Sequence, residues 1–128
     1  MSDTEKISFN LSVVDLGKVD LLIEQGFYSS RTDFMVTAVR SQLAPHTVNI
    51  NEVVAKLSMV VGVHAVGRKT LENLQAKRKQ MDVNVVGLLV LAQDVAPELA
   101  RATIRSIKIR GGFRASSEVK EALKDRMQ

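Results

Sequence analysis

The fold of this chain is decided by the stretch Lys6-Ile7-Ser8-Phe9-Asn10-Leu11-Ser12, in which polar and apolar side chains alternate. Alternation with a period of two predicts a β-strand with one buried and one exposed face. The apolar residues would lie on one face, and Lys6, Ser8 and Asn10 on the other. Because a lone strand leaves its backbone groups unpaired, this segment needs a second strand beside it.

Two helices are predicted after the strand, and each begins with a serine three residues before an aspartate. Ser12 and Asp15 mark the first start, and Ser30 and Asp33 mark the second, because the serine hydroxyl can accept the free amide of the aspartate. Pro45 ends the second helix. Three elements this short cannot bury their apolar faces alone, so the segment predicts an intertwined dimer.

The second part of the chain contains a weak repeat. Val60-Val61-Gly62, Val85-Val86-Gly87 and Ile109-Arg110-Gly111 follow one another at spacings of 25 and 24 residues. Each unit is interpreted as a β-rich stretch, a glycine, a short turn and a helix, with helices over residues 69–81, 97–105 and 117–126. Three such units predict a small α/β solenoid with a parallel sheet. The apolar stretch Val83–Leu91 predicts a strand covered on both faces.

Composition and charge indicate the cellular compartment and the charge distribution of the protein. The chain has 128 residues, no cysteine and a net charge of +4. Residues 1–45 carry four basic and six acidic side chains, so the positive charge lies in the remainder. The polar N-terminus and short apolar runs predict neither a signal peptide nor a membrane span, and we expect a cytoplasmic, nucleoid-associated protein.

Residues Lys6–Leu43 resemble the ribbon–helix–helix fold of the Arc, MetJ and CopG repressor class. The resemblance rests on the alternating strand and on Gly26-Phe27-Tyr28-Ser29-Ser30-Arg31-Thr32-Asp33, which is similar to the family's entry into its second helix. It implies that two copies pair their strands into an antiparallel ribbon in the DNA major groove. It further implies that Lys6, Ser8 and Asn10 contact the bases. The same resemblance implies that Ser30, Arg31 and Thr32 contact a phosphate.

Other polar clusters give weaker signals. The segment Gly62–Thr70 resembles a phosphate-binding loop, but its lysine is displaced by one residue, and its glycines are more simply repeat turns. We expect no enzymatic activity, no metal and no cofactor, since no catalytic or ligand motif is evident. A possible secondary basic patch, which either contacts DNA phosphates or forms a solvated surface, consists of Lys77, Arg78, Lys79, Arg101 and Arg105.

These observations predict an α+β protein of three parts. Residues 1–45 form a ribbon–helix–helix domain, 46–59 a linker or lead-in with Thr47–Ile50 as strand or linker, and 60–128 an α/β repeat domain for oligomerisation or for a partner or effector. The expected function is a sequence-specific transcriptional regulator, most simply a repressor, that binds double-stranded DNA as a homodimer. Two alternatives stay open: a DNA-coating or scaffold protein that polymerises through its C-terminal domain, and an antitoxin.

Overall fold

The computed structural model describes residues 4–128, which divide into two compact units. The N-terminal unit is Lys6–Val53, and the sheet unit consists, among the described residues, of 4–5 and 54–128. The N-terminal unit contains helices α1 (Val13–Glu24) and α2 (Arg31–Leu43) and a 3-10 turn (Ala44–His46). Helix α3 (Thr47–Leu57) runs through the boundary between the units.

The two predicted helix starts are confirmed. The Ser12 hydroxyl accepts the Asp15 amide at 3.1 Å, and the Ser30 hydroxyl accepts the Asp33 amide at 3.0 Å. Between the helices, Gly26 adopts a φ of +86°, which glycine reaches without strain. The prediction of a strand or linker at Thr47–Ile50 is wrong: α2 ends before Pro45, but the chain resumes helical geometry at once in α3.

A single copy of the N-terminal unit leaves most of its apolar surface open. Val19 is its one buried hydrophobic residue among those described, although Leu16, Leu22 and Ile23 on the same face of α1 are half-buried. Residues 4–12 form neither helix nor strand within the chain. A strand exists only by hydrogen bonding to another strand, so the ribbon at residues 6–12 stays a prediction that requires a second copy.

The sheet unit contains three parallel strands in the order β1 (Val60–Val66), β2 (Met81–Leu91) and β3 (Ile104–Arg114). The predicted parallel sheet of strand–helix units is therefore confirmed, whereas a continuous solenoid stays a prediction. The helices that follow the strands are α4 (Arg68–Ala76), α5 (Pro97–Thr103) and α6 (Ser117–Ala122), and a 3-10 turn occupies Lys124–Arg126.

The predicted helices in this unit extend too far at their C-terminal ends. Helix α4 ends at Ala76 rather than at residue 81, because Arg78 turns into the left-handed region at φ +53° and Met81 begins β2. Helix α5 ends at Thr103, since the fully buried Ile104 starts β3. The last predicted helix is split into α6 and the 3-10 turn.

The three glycines of the repeat, Gly62, Gly87 and Gly111, lie side by side across the sheet and are called here the glycine ladder. Gly62 lies beside Gly87, and Gly87 lies beside Gly111, in the strand register. All three have φ values between +115° and +135° and sit in the middle of their strands. The interpretation of Gly62 as a repeat turn is therefore wrong, whereas Gly67, the other glycine of Gly62–Thr70, does lie between β1 and α4. The spacing of 25 and 24 residues reflects the alignment of one backbone irregularity from strand to strand.

Within the sheet unit, helices α4, α5 and α6 pack on one face of the sheet. The core contains Leu71 of α4, Ala100 of α5 and Val119 of α6, packed with the inward side chains of the strands. Two crossovers of the same hand that advance in one direction place their helices on the same side. On the opposite face, Val61 and Val63 of β1 are 57% and 53% exposed, whereas no residue of Val83–Leu91 in β2 is exposed and Leu88 is buried. The prediction that Val83–Leu91 is covered on both faces therefore stays a prediction, although the helices of this unit cover only one of them.

Candidate nucleic-acid interface

The three predicted base-reading residues lie on an exposed segment that leads directly into α1. Lys6, Ser8 and Asn10 are all exposed, as is every residue from 4 to 12. The alternating apolar side chains are exposed as well: Ile7 is 79% and Phe9 62% accessible. Burying such side chains contributes about 1.5–3 kcal/mol each. Covering these side chains would therefore stabilise the segment.

A compact set of hydrogen bonds forms the start of α2. Ser30 caps the helix through the Asp33 amide, and the Asp33 carboxylate in return accepts from the Ser29 amide at 3.0 Å and from the Ser29 hydroxyl at 3.2 Å. Tyr28 packs edge-on against Phe34, with ring centroids 4.9 Å apart. These contacts fix the direction in which the first amides of α2 point.

Arg31 is engaged inside the N-terminal unit. Its guanidinium donates to both carboxylate oxygens of Asp20 on α1, each at 2.8 Å. The hydrogen bond from Arg31 lowers the pKa of Asp20, and the same bond raises the pKa of Arg31. The structure thus uses this side chain to tie α2 to α1, a role that sequence spacing did not indicate, because the two residues are brought together only by helix packing.

At the α2 start, the groups that remain open to an anion are backbone amides. Within the described residues, the amides of Arg31 and Thr32 have no acceptor, whereas the Asp33 amide is bound by Ser30. Free amides and the helix dipole favour an anion at such a position. Ser30, Arg31 and Thr32 are close together as predicted, but Ser30 serves as a cap and Arg31 as an ion-pair partner.

The possible secondary basic patch separates into two groups. Arg101 binds Asp125, with Nη1 at 2.7 Å from Oδ1, and Arg105 binds both carboxylate oxygens of Asp82. Hydrogen bonds from Arg105 and Ser106 lower the pKa of Asp82 to about 2. These two arginines are neutralised by carboxylates that sequence analysis did not connect with them.

The other group, Lys77-Arg78-Lys79, follows the end of α4. All three side chains are exposed, and none has an acidic partner among residues 4–128. Their own amides complete the helix terminus by donating to carbonyl oxygens of α4, including Lys79 to Leu74 at 2.9 Å. This group is the part of the predicted patch that offers free positive charge.

Glu5 was missed by sequence analysis, although it immediately precedes the predicted reading face. Its carboxylate forms an ion pair with Arg114 at the end of β3, and the Arg114 guanidinium also donates to the Thr4 carbonyl at 3.0 Å. No local pattern could indicate this contact, because the residues are more than a hundred positions apart. It ties Thr4 and Glu5 to the end of β3 within the sheet unit.

Comparison with protein families identifies a match that covers nearly the whole chain. The model of the ribbon-helix-helix transcriptional regulator family matches residues 2–120, well beyond the N-terminal third that carries the resemblance in sequence. Neither a curated protein nor a solved structure gives a match. No helix in the described part of the chain is long and apolar enough to cross a membrane. The chain belongs to the ribbon–helix–helix transcriptional regulator family, whose members bind DNA as dimers.

Proposed function

We propose that this protein is a sequence-specific repressor in the cytoplasm that reads the DNA major groove with a two-stranded ribbon. Two copies pair residues 6–12 antiparallel, so that Ile7, Phe9 and Leu11 face the helices. Lys6, Ser8 and Asn10 then face the bases. The observation that carries the proposal is the fully exposed alternating segment in front of two capped helices with one buried residue, Val19.

The chemistry of the polar face suits base recognition. Asparagine can bind adenine through two hydrogen bonds, lysine can donate to guanine acceptors, and serine can donate or accept. The amides at the start of α2 would hold a phosphate and fix the register of the ribbon. A bound dimer would repress by excluding polymerase from the promoter.

Fluorescence anisotropy tests the proposal directly. Full-length protein is titrated against DNA from upstream of its own gene and against a scrambled duplex, over a series of salt concentrations. Asn10→Ala is compared with Asn73→Ala, a matched control because Asn73 is exposed on α4. Each lost base contact should cost about 1–3 kcal/mol, so Asn10→Ala should abolish the preference for the upstream DNA.

The control variant should retain the preference of the wild-type protein. Equal binding of both duplexes by the wild type, at physiological salt, would contradict sequence-specific reading. A steep salt dependence in that case would indicate contacts to phosphates alone.

A second candidate is a protein that coats DNA with little sequence preference. The observation that favours it is the exposed group Lys77-Arg78-Lys79, which lies in the more basic part of the chain. Replacing all three by serine should then reduce the salt dependence of binding, while Asn10→Ala has no effect. The antitoxin alternative receives less support, because the sheet unit has a closed core of its own.

A further inference from the structure

The free edge of β1 lacks the features that usually protect an edge strand. From Val60 to Val66 its only polar side chain is His64, and it contains neither charge nor proline. Val60, Val61 and Val63 are 41%, 57% and 53% exposed. Edge strands in soluble proteins commonly carry lysine, proline or a covering segment, because open backbone groups recruit further strands. This edge is suited to pair with another strand.

The glycine ladder indicates which kind of strand would fit. A Cβ atom on Gly87 would collide with the Gly62 carbonyl, and a Cβ on Gly111 would collide with the Gly87 carbonyl. Gly87 and Gly111 therefore each receive the carbonyl of the strand before them. Gly62 has the same conformation, with φ +115°, but no atom lies within 4 Å of the position its Cβ would occupy. Its outer side repeats the surface that β2 and β3 use to receive a neighbour.

The opposite edge of the sheet offers the matching carbonyl. The C-terminal residues cover β3 only at its start, where Met127 is bridged to Ile107 and the Gln128 amide donates to the Ile107 carbonyl at 2.8 Å. The register places Ile109–Arg114 level with β1, and the order of the described strands ends at β3. At the end of this segment the Arg114 side chain binds Glu5 and the Thr4 carbonyl. Gly111 in its centre is exposed.

We propose that β1 of one copy pairs in parallel with Ile109–Arg114 of a second copy, which continues the glycine ladder across the junction. The Gly111 carbonyl of the second copy would approach Gly62 in the same way as the Gly62 carbonyl approaches Gly87 within one chain. Extending the register places Arg110 of the second copy beside Val61. A parallel arrangement is favoured over a two-fold antiparallel one because the free side of β1 has the geometry of the parallel junctions.

Such a junction joins two different edges, so it is a heterologous contact that closes into a ring or extends into a chain. Together with the two-fold ribbon it would link DNA-bound dimers into larger assemblies. The inference goes beyond the proposed reading of DNA and involves none of the residues of the ribbon. Its test therefore needs no DNA.

The first experiment measures the mass of the full chain in solution by light scattering over a range of concentrations. The wild type should form species larger than a dimer. Val61→Lys with Val63→Lys should lose these species, because charge on an edge strand opposes pairing. Thr70→Lys with Gln75→Lys adds the same charge at exposed positions of α4 and should retain them. A wild type that is no larger than a dimer at every concentration would overturn the proposal.

Cysteine cross-linking tests the register, since the natural chain has no cysteine. Val61→Cys with Arg110→Cys should form disulfide-linked multimers. Within one copy these positions are separated by β2, about 9–10 Å across two strand spacings, which is too far for a disulfide. Val86→Cys with Arg110→Cys, which are direct neighbours in the register, should instead give a cross-linked single chain.

The single variant Val61→Cys distinguishes the two orientations of the junction. A head-to-tail junction keeps the two Val61 positions apart, so this variant should stay free of covalent dimers under the same oxidising conditions. Efficient cross-linking of the single variant would show that two β1 edges meet, and would overturn the parallel arrangement. Loss of DNA specificity in Asn10→Ala with intact assembly would show that the two proposals stand independently.

Discussion

Gly87→Ala should destabilise the sheet unit far more than its single methyl group suggests. At φ +135° an L-residue is strained by about 1–3 kcal/mol. In addition, the new Cβ would lie 3.0 Å from the Gly62 carbonyl carbon and closer still to its oxygen, so strands β1 and β2 must separate. Overpacking of this kind costs about 1–3 kcal/mol, which gives a total of about 2–6 kcal/mol.

Gly62→Ala is the matched control for this prediction. Its φ of +115° imposes a similar strain, but its Cβ would meet no atom within 4 Å. The difference between the two variants therefore isolates the close approach of the strands, and should be about 1–3 kcal/mol in the free energy of unfolding.

Urea denaturation followed by circular dichroism, at one fixed low protein concentration, measures both variants. The midpoint of the transition that carries the strand signal should fall in the order wild type, Gly62→Ala, Gly87→Ala. If the two variants were equally stable, the close contact between Gly87 and the Gly62 carbonyl could not be the reason for glycine in β2.

Three further predictions concern the ion pairs and the ribbon. Asp20→Asn releases Arg31, which can then reach a phosphate, so the slope of log affinity against log salt should steepen by about 0.9 per additional contact; an unchanged slope in anisotropy titrations would refute this. Phe9→Asp places a charge on the apolar face of the ribbon, so DNA binding should be lost while circular dichroism still reports a folded sheet unit, whereas retained binding would argue against the ribbon. Because the Asp82 pKa is lowered to about 2 from an ordinary value of 3.8, its pair with Arg105 should stabilise the fold above about pH 4 and lose this effect as the pH falls through about 2; an NMR titration should show the Asp82 pKa return toward 3.8 in Arg105→Ala.

Local patterns were sufficient where the interaction itself is local. The caps at Ser12 and Ser30 join a hydroxyl to an amide three residues on, so the sequence spacing already contains the geometry. The helix ends near residues 81 and 105 were predicted less well. There the competing strands β2 and β3 end the helices, because their first residues pack in the sheet.

The position of the candidate site could be predicted from the sequence, but the ion pairs that its arginines form could not. Lys6, Ser8 and Asn10 follow from alternation, since successive residues of an extended segment face opposite ways. That Arg31 binds Asp20, and Arg105 binds Asp82, depends on the packing of helices and the alignment of strands. A count of basic residues therefore overstates the positive charge available to DNA.

The sequence by itself determined the helix pair of the N-terminal unit and its need for a partner, because these depend on spacings of a few residues. It also determined the period of the strand–helix units, because that repeat is visible in the chain. Only the tertiary structure decided that the three glycines stack in mid-strand and that the helices cover a single face of the sheet. Both are consequences of register and crossover direction, which bring together residues about 25 positions apart and leave no mark in any local pattern. The open edge of β1 is likewise a property of the assembled sheet rather than of the strand.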